Sequence, residues 1–341
     1  MFLLKALKTP SILFSVLFVM GIGADFGLDG FVKRLVIAIL INTILAMSLN
    51  LVNGYTGQFS LGHAGFMAVG AYFSAWLSNQ IPHSSGFAGL WSFPVLAVMG
   101  GLMAGLAGLL VGLPSLRLKG DYLAIVTLGF AEIIRVVLLN TSAVGGATGY
   151  NKIPGPDDIL FGASTVSKFF LCFSHSLFWS IATYVIIWRL IRSGHGRGFL
   201  SVREDEVAAE AMGVNTTKSK VRAFVLSSFF AGVAGALFAQ FENLITPDTF
   251  RFNRSVDAVI MVVLGGMGSL SGSIIAAIFI TVTPELLRPL QQYTGVDVRM
   301  VIYSLSLILL MILRPKGLFG NLEFTHLFEK LRLKIFSRGK S

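Results

Sequence analysis

Few side chains capable of chemistry occur in this sequence, and their placement narrows what they could do. His63 stands in a stretch, positions 35–116, that contains no Asp, Glu, Lys or Arg. No second His, Cys or carboxylate lies near it at ligand spacing, so no metal site is expected. It is left with lining a polar path or with hydrogen bonding between helices, and packing beside a Gly-rich turn is the simpler role. Glu132 and Arg135 stand three residues apart in another apolar stretch. They share a helix face and can pair, although an intramembrane carboxylate is also what a proton-coupled carrier would use. The sequence has no Gly-x-x-x-x-Gly-Lys-Ser/Thr, His-Glu-x-x-His or Gly-x-Ser-x-Gly pattern, so ATP hydrolysis and hydrolase chemistry lack their motifs. Cys172 is the single cysteine and cannot close an internal disulfide. No catalytic residue, metal or cofactor is expected.

The elements that must position these residues are membrane helices. Of 341 residues, 54% are hydrophobic and 13% charged, about half the charge of a soluble domain. That excludes a soluble enzyme, a nucleic-acid binder and a disordered chain. Charge-poor segments fall at Thr9–Ala24, Leu35–Val52, Leu61–Asn79, Trp91–Leu113, Asp121–Thr141, Phe169–Trp188, Ala223–Phe241, Ala258–Pro284 and Met300–Leu313. At about 20 residues per crossing they give nine or ten hydrophobic segments. Transmembrane β-strands would alternate in polarity, which these segments do not. The expected fold is all-α, a polytopic transmembrane helical bundle forming one permease domain over residues 1–341. Lys5 and Lys8 before the first apolar run resemble a signal peptide, but a multispanning protein can keep such a helix as its insertion signal.

Charge orients the bundle. Basic residues gather at 189–222 and again at 314–341, which predicts a cytoplasmic loop and a basic cytoplasmic tail. The connections Ser142–Lys168 and Glu242–Asp257 then lie outside, where their charges could dock a soluble protein. Three hydrophobic segments follow Arg222, yet two cytoplasmic flanks require an even number of crossings. The fault is expected in Ala258–Pro284, interrupted by Gly265, Gly266, Gly268 and Gly272. Glycines at this density weaken a helix, so two shorter pieces or a re-entrant element are predicted. Gly54–Gly65 echoes the pattern with Gly57 and Gly62, and paired Gly-interrupted segments point to a transporter's binding region. Asn50, Asn53, Gln58, Ser60 and His63 surround this echo and are the candidates for a substrate path. Gly101, Gly105, Gly108 and Gly112 form a stripe suited to close helix packing.

Inside the basic loop, Arg203–Asn215 reads as a short helix with acidic residues at its start and Gly213 at its end. It resembles the coupling loop of ABC importer permeases, in which Glu-Ala-Ala is followed three residues later by Gly. Ala208, Ala209 and Gly213 match; Val207 replaces the glutamate, and the Ile-x-Leu-Pro that should follow is absent. Ser48–Phe66, Gly120–Leu128, Arg203–Asn215 and Gly265–Gly272 together resemble the signature blocks of the LivM-type permeases of branched-chain amino acid importers, in the family's order.

That resemblance implies a LivH-like permease partner, LivG- and LivF-like ATPases that use the ATP, an extracytoplasmic amino-acid-binding protein, and the bacterial cytoplasmic (inner) membrane. It also implies that Glu206, Ala208, Ala209, Glu210 and Gly213 couple the chain to an ATPase. Family relatives carry urea, amides or other amino acids, which is one alternative. A self-sufficient ion-coupled carrier is the alternative of a different class.

Overall fold

The computed structural model describes residues 29–80, 87–116, 118, 120–151, 153 and 168–286, with single positions 304, 305, 308 and 312. Among them the chain is helical, with one isolated antiparallel bridge and no strand. We number the helices α1 (Gly30–Asn50), α2 (His63–Gln80), α3 (Phe87–Ser115), α4 (Asp121–Asn140), α5 (Lys168–Arg192), α6 (Gly194–Glu204), α7 (Glu206–Ala211), α8 (Thr216–Glu242), α9 (Phe252–Gly265) and α10 (Leu270–Leu286).

Five spans among the described residues are long and apolar enough to cross a membrane: Gly30–Tyr55, Ser92–Ser115, Tyr122–Asn140, Phe169–Arg192 and Thr216–Glu242. This is fewer than the nine or ten segments expected. Part of the difference is coverage: Thr9–Ala24 lies outside the described residues, and Met300–Leu313 is described only at its four single positions. The rest is physical: α2, the segment expected over Leu61–Asn79, is not among the five, having His63 at one end and Asn79 and Gln80 at the other. Ala258–Pro284 is split between α9, of 14 residues, and α10, of 17. At 1.5 Å per residue these reach about 21 and 26 Å, short of a hydrocarbon core about 30 Å thick. The segment read as Trp91–Leu113 continues as α3 through Pro114 to Ser115, the proline falling in the last turn.

Helix α8 is the axis of the bundle, packed against α1, α2, α3 and α5. Small residues permit this, as helix association in lipid requires. Gly70 of α2 lies against Gly232 of α8 so closely that a Cβ on Gly70 would collide with the Gly232 carbonyl. The stripe on α3 meets the same helix: Gly101 faces Phe229 and Val233, Gly108 faces Ser228, and Gly112 faces Phe224. The opposite face of α3 is exposed at Val95, Leu102, Leu106 and Leu110, and α4 is exposed at Ile125, Ile133 and Val137. Such apolar faces suit lipid or another membrane subunit.

At one end of the bundle the two connections expected outside meet. Tyr150 N–H donates to Ile245 O at 2.8 Å, and Ile245 N–H donates to Tyr150 O at 3.0 Å. The second connection is shorter than its polarity implied. It spans only 243–251, including a 3-10 turn at Pro247–Phe250, because Arg254 and Asp257 lie within α9. Their charge made the first turns of α9 look like loop.

Candidate functional site

The two glycine-rich interruptions are brought together. After α1 the chain makes one π-helical turn, Leu51–Tyr55, then runs without helix until His63. Between α9 and α10 it turns through Gly266–Ser269, with Gly266 and Gly268 at φ of 105° and 92°. Positive φ at these two positions is cheap only for glycine. Asn50 joins the breaks: its Oδ1 accepts from Gly268 N–H at 2.9 Å, and its Nδ2 donates to Ser269 O at 2.9 Å and Ser273 Oγ at 2.8 Å. Gly54 lies directly against the Gly268 amide, with no room there for a side chain.

The candidate path residues differ in what their polar atoms do. Asn50 is fully buried with its amide engaged at both ends. Asn53 Oδ1 accepts from Ser60 N–H at 3.2 Å, whereas Asn53 Nδ2 and Gln58 Oε1 are buried without hydrogen-bond partners. Buried orphans of this kind are costly and rare in a finished core. Ser60 is buried within the non-helical stretch. His63 Nε2 lies 2.8 Å from Ser48 Oγ, and Ser227 Oγ donates to Ser48 O at 2.6 Å. This chain ties α2, α1 and α8 together. Among the described residues no group of three or more His, Cys, Asp or Glu could hold a metal.

The basic loop folds as α6 and α7. Ser193 caps α6 by accepting from His195 and Gly196 N–H, and Asp205 caps α7 by accepting from Val207 and Ala208 N–H at 2.9 and 3.0 Å. Gly213, at φ 83°, follows α7 in the left-handed conformation expected after a helix end. Two contacts clamp α7 to the start of α8. Glu206 pairs with the buried Lys220 at 2.5 Å, and Glu210 Oε1 accepts from Thr216 Oγ1 at 2.8 Å. Ala209 packs inward, and Ala208 faces solvent. The large apolar side chains that it exposes are Val207, 70% exposed, and Met212, 83% exposed. Sequence reasoning singled out the two glutamates and passed over this apolar pair. A valine at position 207, where the importer motif has a glutamate, is its only trace in the sequence.

Arg203, at the end of α6, was also missed. A methyl group added at Gly268 would stand 2.7 Å from Arg203 Nη1, and one at Gly57 would stand 3.2 Å from Arg203 Cγ. The side chain therefore lies against both breaks and connects them to the α6–α7 segment. Glu132 pairs with Arg135, whose Nη1 also lies 3.4 Å from Asp248 Oδ1. Asp248 in turn pairs with Arg251. Glu132 is thus part of a surface network between α4 and the Pro247–Phe250 turn.

A bundle of membrane-length helices, with two broken elements locked together and a capped helix pair set against them, has the build of a multispanning membrane protein. The sequence comparisons name its kind. The chain belongs to the family described as branched-chain amino acid transport system / permease component, whose model matches residues 31–313. It is 40% identical over 302 residues to the high-affinity branched-chain amino acid transport system permease protein LivM of Escherichia coli, covering 82% of this chain and 68% of that one. It is 24% identical over 306 residues to the probable branched-chain amino acid transport permease protein LivM of Methanocaldococcus jannaschii, covering 86% and 85%. Over 128 residues it is 31% identical to LivH of Salmonella typhimurium, 38% of this chain and 40% of that one. No solved structure matches.

Proposed function

We propose that this chain is one of two membrane subunits of an ATP-driven importer for leucine, isoleucine and valine in a bacterial cytoplasmic membrane. A LivH-like permease stands beside it, LivG- and LivF-like ATPases bind and hydrolyse the ATP, and an extracytoplasmic binding protein delivers the amino acid. The chain itself uses no cofactor. Family membership and the 40% identity to LivM support the transport role. The observation that carries the mechanism is the two-sided character of α7. Its inner side is fixed to α8 by Glu206–Lys220 and Glu210–Thr216, and its outer side offers Val207 and Met212.

An ATPase groove closing on that outer side would move α6 and α7 together, because both are capped and the first is continuous with Arg203. Arg203 would pass the displacement to the breaks around Gly57 and Gly268. Broken helices in a membrane exist where backbone lines a cavity or packs within protein, and their reorientation is a means of alternating access. The test is assembly. The double variant Val207→Asp/Met212→Asp should insert in the membrane normally and lose at least tenfold of the co-purifying ATPases. Undiminished ATPase recovery would make α7 a surface helix with no coupling role.

A further inference from the structure

Between α1, α8, α9 and α10, with Ser304 and Ile308 on its rim, lies a cavity of about 660 Å³. That is within the range of about 300–1,000 Å³ typical of small-molecule sites. Its lining combines polar groups, Asn42, Arg254, Asp257, Thr281 and Glu285, with apolar ones, Ile41, Phe238, Ile260, Met261 and Ile280. Arg254 and Asp257 stand three residues apart on α9, and Met261 follows one turn later, so one helix face supplies cation, anion and apolar wall.

The guanidinium is held in place but not used up. Arg254 Nη2 donates to Asn42 Oδ1 at 2.9 Å, and Asn42 Nδ2 donates to Thr281 Oγ1 at 2.8 Å, which fixes the side chain across α9, α1 and α10. Phe238 lies under the guanidinium, 6.0 Å from ring centre to Cζ. Arg254 Nε is shielded from solvent and has no hydrogen-bond partner. A guanidinium has five N–H donors in a fork that matches a carboxylate. Asp257 makes no hydrogen bond or ion pair among the described residues, although it lines the same cavity. Charges placed in this way within a membrane bundle mark a pathway more often than a scaffold.

We propose that this cavity is a binding station for a zwitterionic α-amino acid with an aliphatic side chain. It rests on the importer reading above and adds the place where the permease itself holds its cargo. The α-carboxylate takes the Nη donors of Arg254 that Asn42 leaves free, the α-ammonium faces Asp257, and the aliphatic chain lies against Ile260, Met261 and Ile280. A simple anion fits poorly, since Glu242, Asp257 and Glu285 all line the cavity. A simple cation leaves the guanidinium of Arg254 without an anion.

The experiment is equilibrium binding of radiolabelled leucine to the assembled importer in lipid nanodiscs, without the binding protein. Leucinamide, which lacks the carboxylate, and 4-methylpentanoate, which lacks the ammonium, serve as competitors. Wild type should prefer leucine to both. Arg254→Gln should weaken leucine and 4-methylpentanoate at least tenfold and spare leucinamide. Asp257→Asn should weaken leucine and leucinamide at least tenfold and spare 4-methylpentanoate; it keeps the side-chain shape and serves alone if Arg254→Gln does not assemble. An unchanged order of ligands in Asp257→Asn overturns the station. Absence of leucine binding to wild type overturns it as well. If that wild type still imports leucine with ATP, the importer reading stands without the station; if it does not, both fall.

Discussion

The junction of the two breaks rests on one side chain, so removing it gives a large and specific effect. Asn50→Ala deletes three hydrogen bonds. Ser269 O keeps acceptor roles from Ser273 N–H and Ser273 Oγ, both at 3.1 Å, and Ser273 Oγ keeps its acceptor. Gly268 N–H alone loses its partner. Two ordinary hydrogen bonds at about 1 kcal/mol each, plus about 1–3 kcal/mol for the orphaned amide, give a loss of about 3–5 kcal/mol. Asn53→Ala is the internal control. It loses a single 3.2 Å bond, which leaves the buried Ser60 N–H unpartnered at about 1–3 kcal/mol, and it also removes an Nδ2 that had no partner, so the loss is smaller than for Asn50→Ala. Unfolding in mixed detergent–dodecyl sulfate micelles measures both. Amide exchange read by mass spectrometry should accelerate at Gly268 in Asn50→Ala and not in Asn53→Ala. Equal stability of the two variants, or unchanged exchange at Gly268, would refute the idea that Asn50 locks the breaks.

Other consequences are simpler to state. Gly70→Val places a branched side chain against the Gly232 carbonyl; overpacking of this kind costs about 1–3 kcal/mol or more, and thermal unfolding should show it as a lowered Tm. Lys220→Ala leaves Glu206 without its cation, so amide exchange across Glu206–Ala211 should rise while α8 stays protected; no change there would show that α7 is held by other contacts. Glu132→Gln interrupts an exposed pair with Arg135, and ATP-driven uptake should stay within about twofold of wild type, about 0.4 kcal/mol. A strict requirement for Glu132 would favour an ion-coupled carrier.

What was legible in the sequence followed from composition and chain geometry. A charge-free stretch at 35–116 can only be membrane or core, and the parity of crossings after Arg222 located an interruption where Gly265–Gly272 weakens the helix. The glycine stripe at 101–112 announced close packing, and α8 is the helix it meets. What stayed hidden is tertiary. Nothing in the spacing of Asn50 and Gly268, more than two hundred positions apart, says that one side chain bonds the other's backbone. Arg203 looked like one basic residue among many, and its position against both breaks exists only in the folded chain. Arg254 and Asp257 read as loop charges because polarity was taken as exposure, although α9 begins at Phe252 and carries both into a cavity wall. Glu206 and Glu210 drew attention as charges, yet they are bonded within the chain, and Val207 and Met212 are the exposed apolar groups beside them.

The central claim is that this chain moves branched-chain amino acids only as part of an ATP-driven assembly. Leucine uptake into proteoliposomes tests it most directly, with the chain reconstituted alone and with its partner permease, both ATPases and the binding protein. Uptake is expected only by the full assembly and only with ATP inside the compartment that holds the ATPases. Leucine accumulation by the chain alone, driven by an ion gradient without ATP, would contradict it.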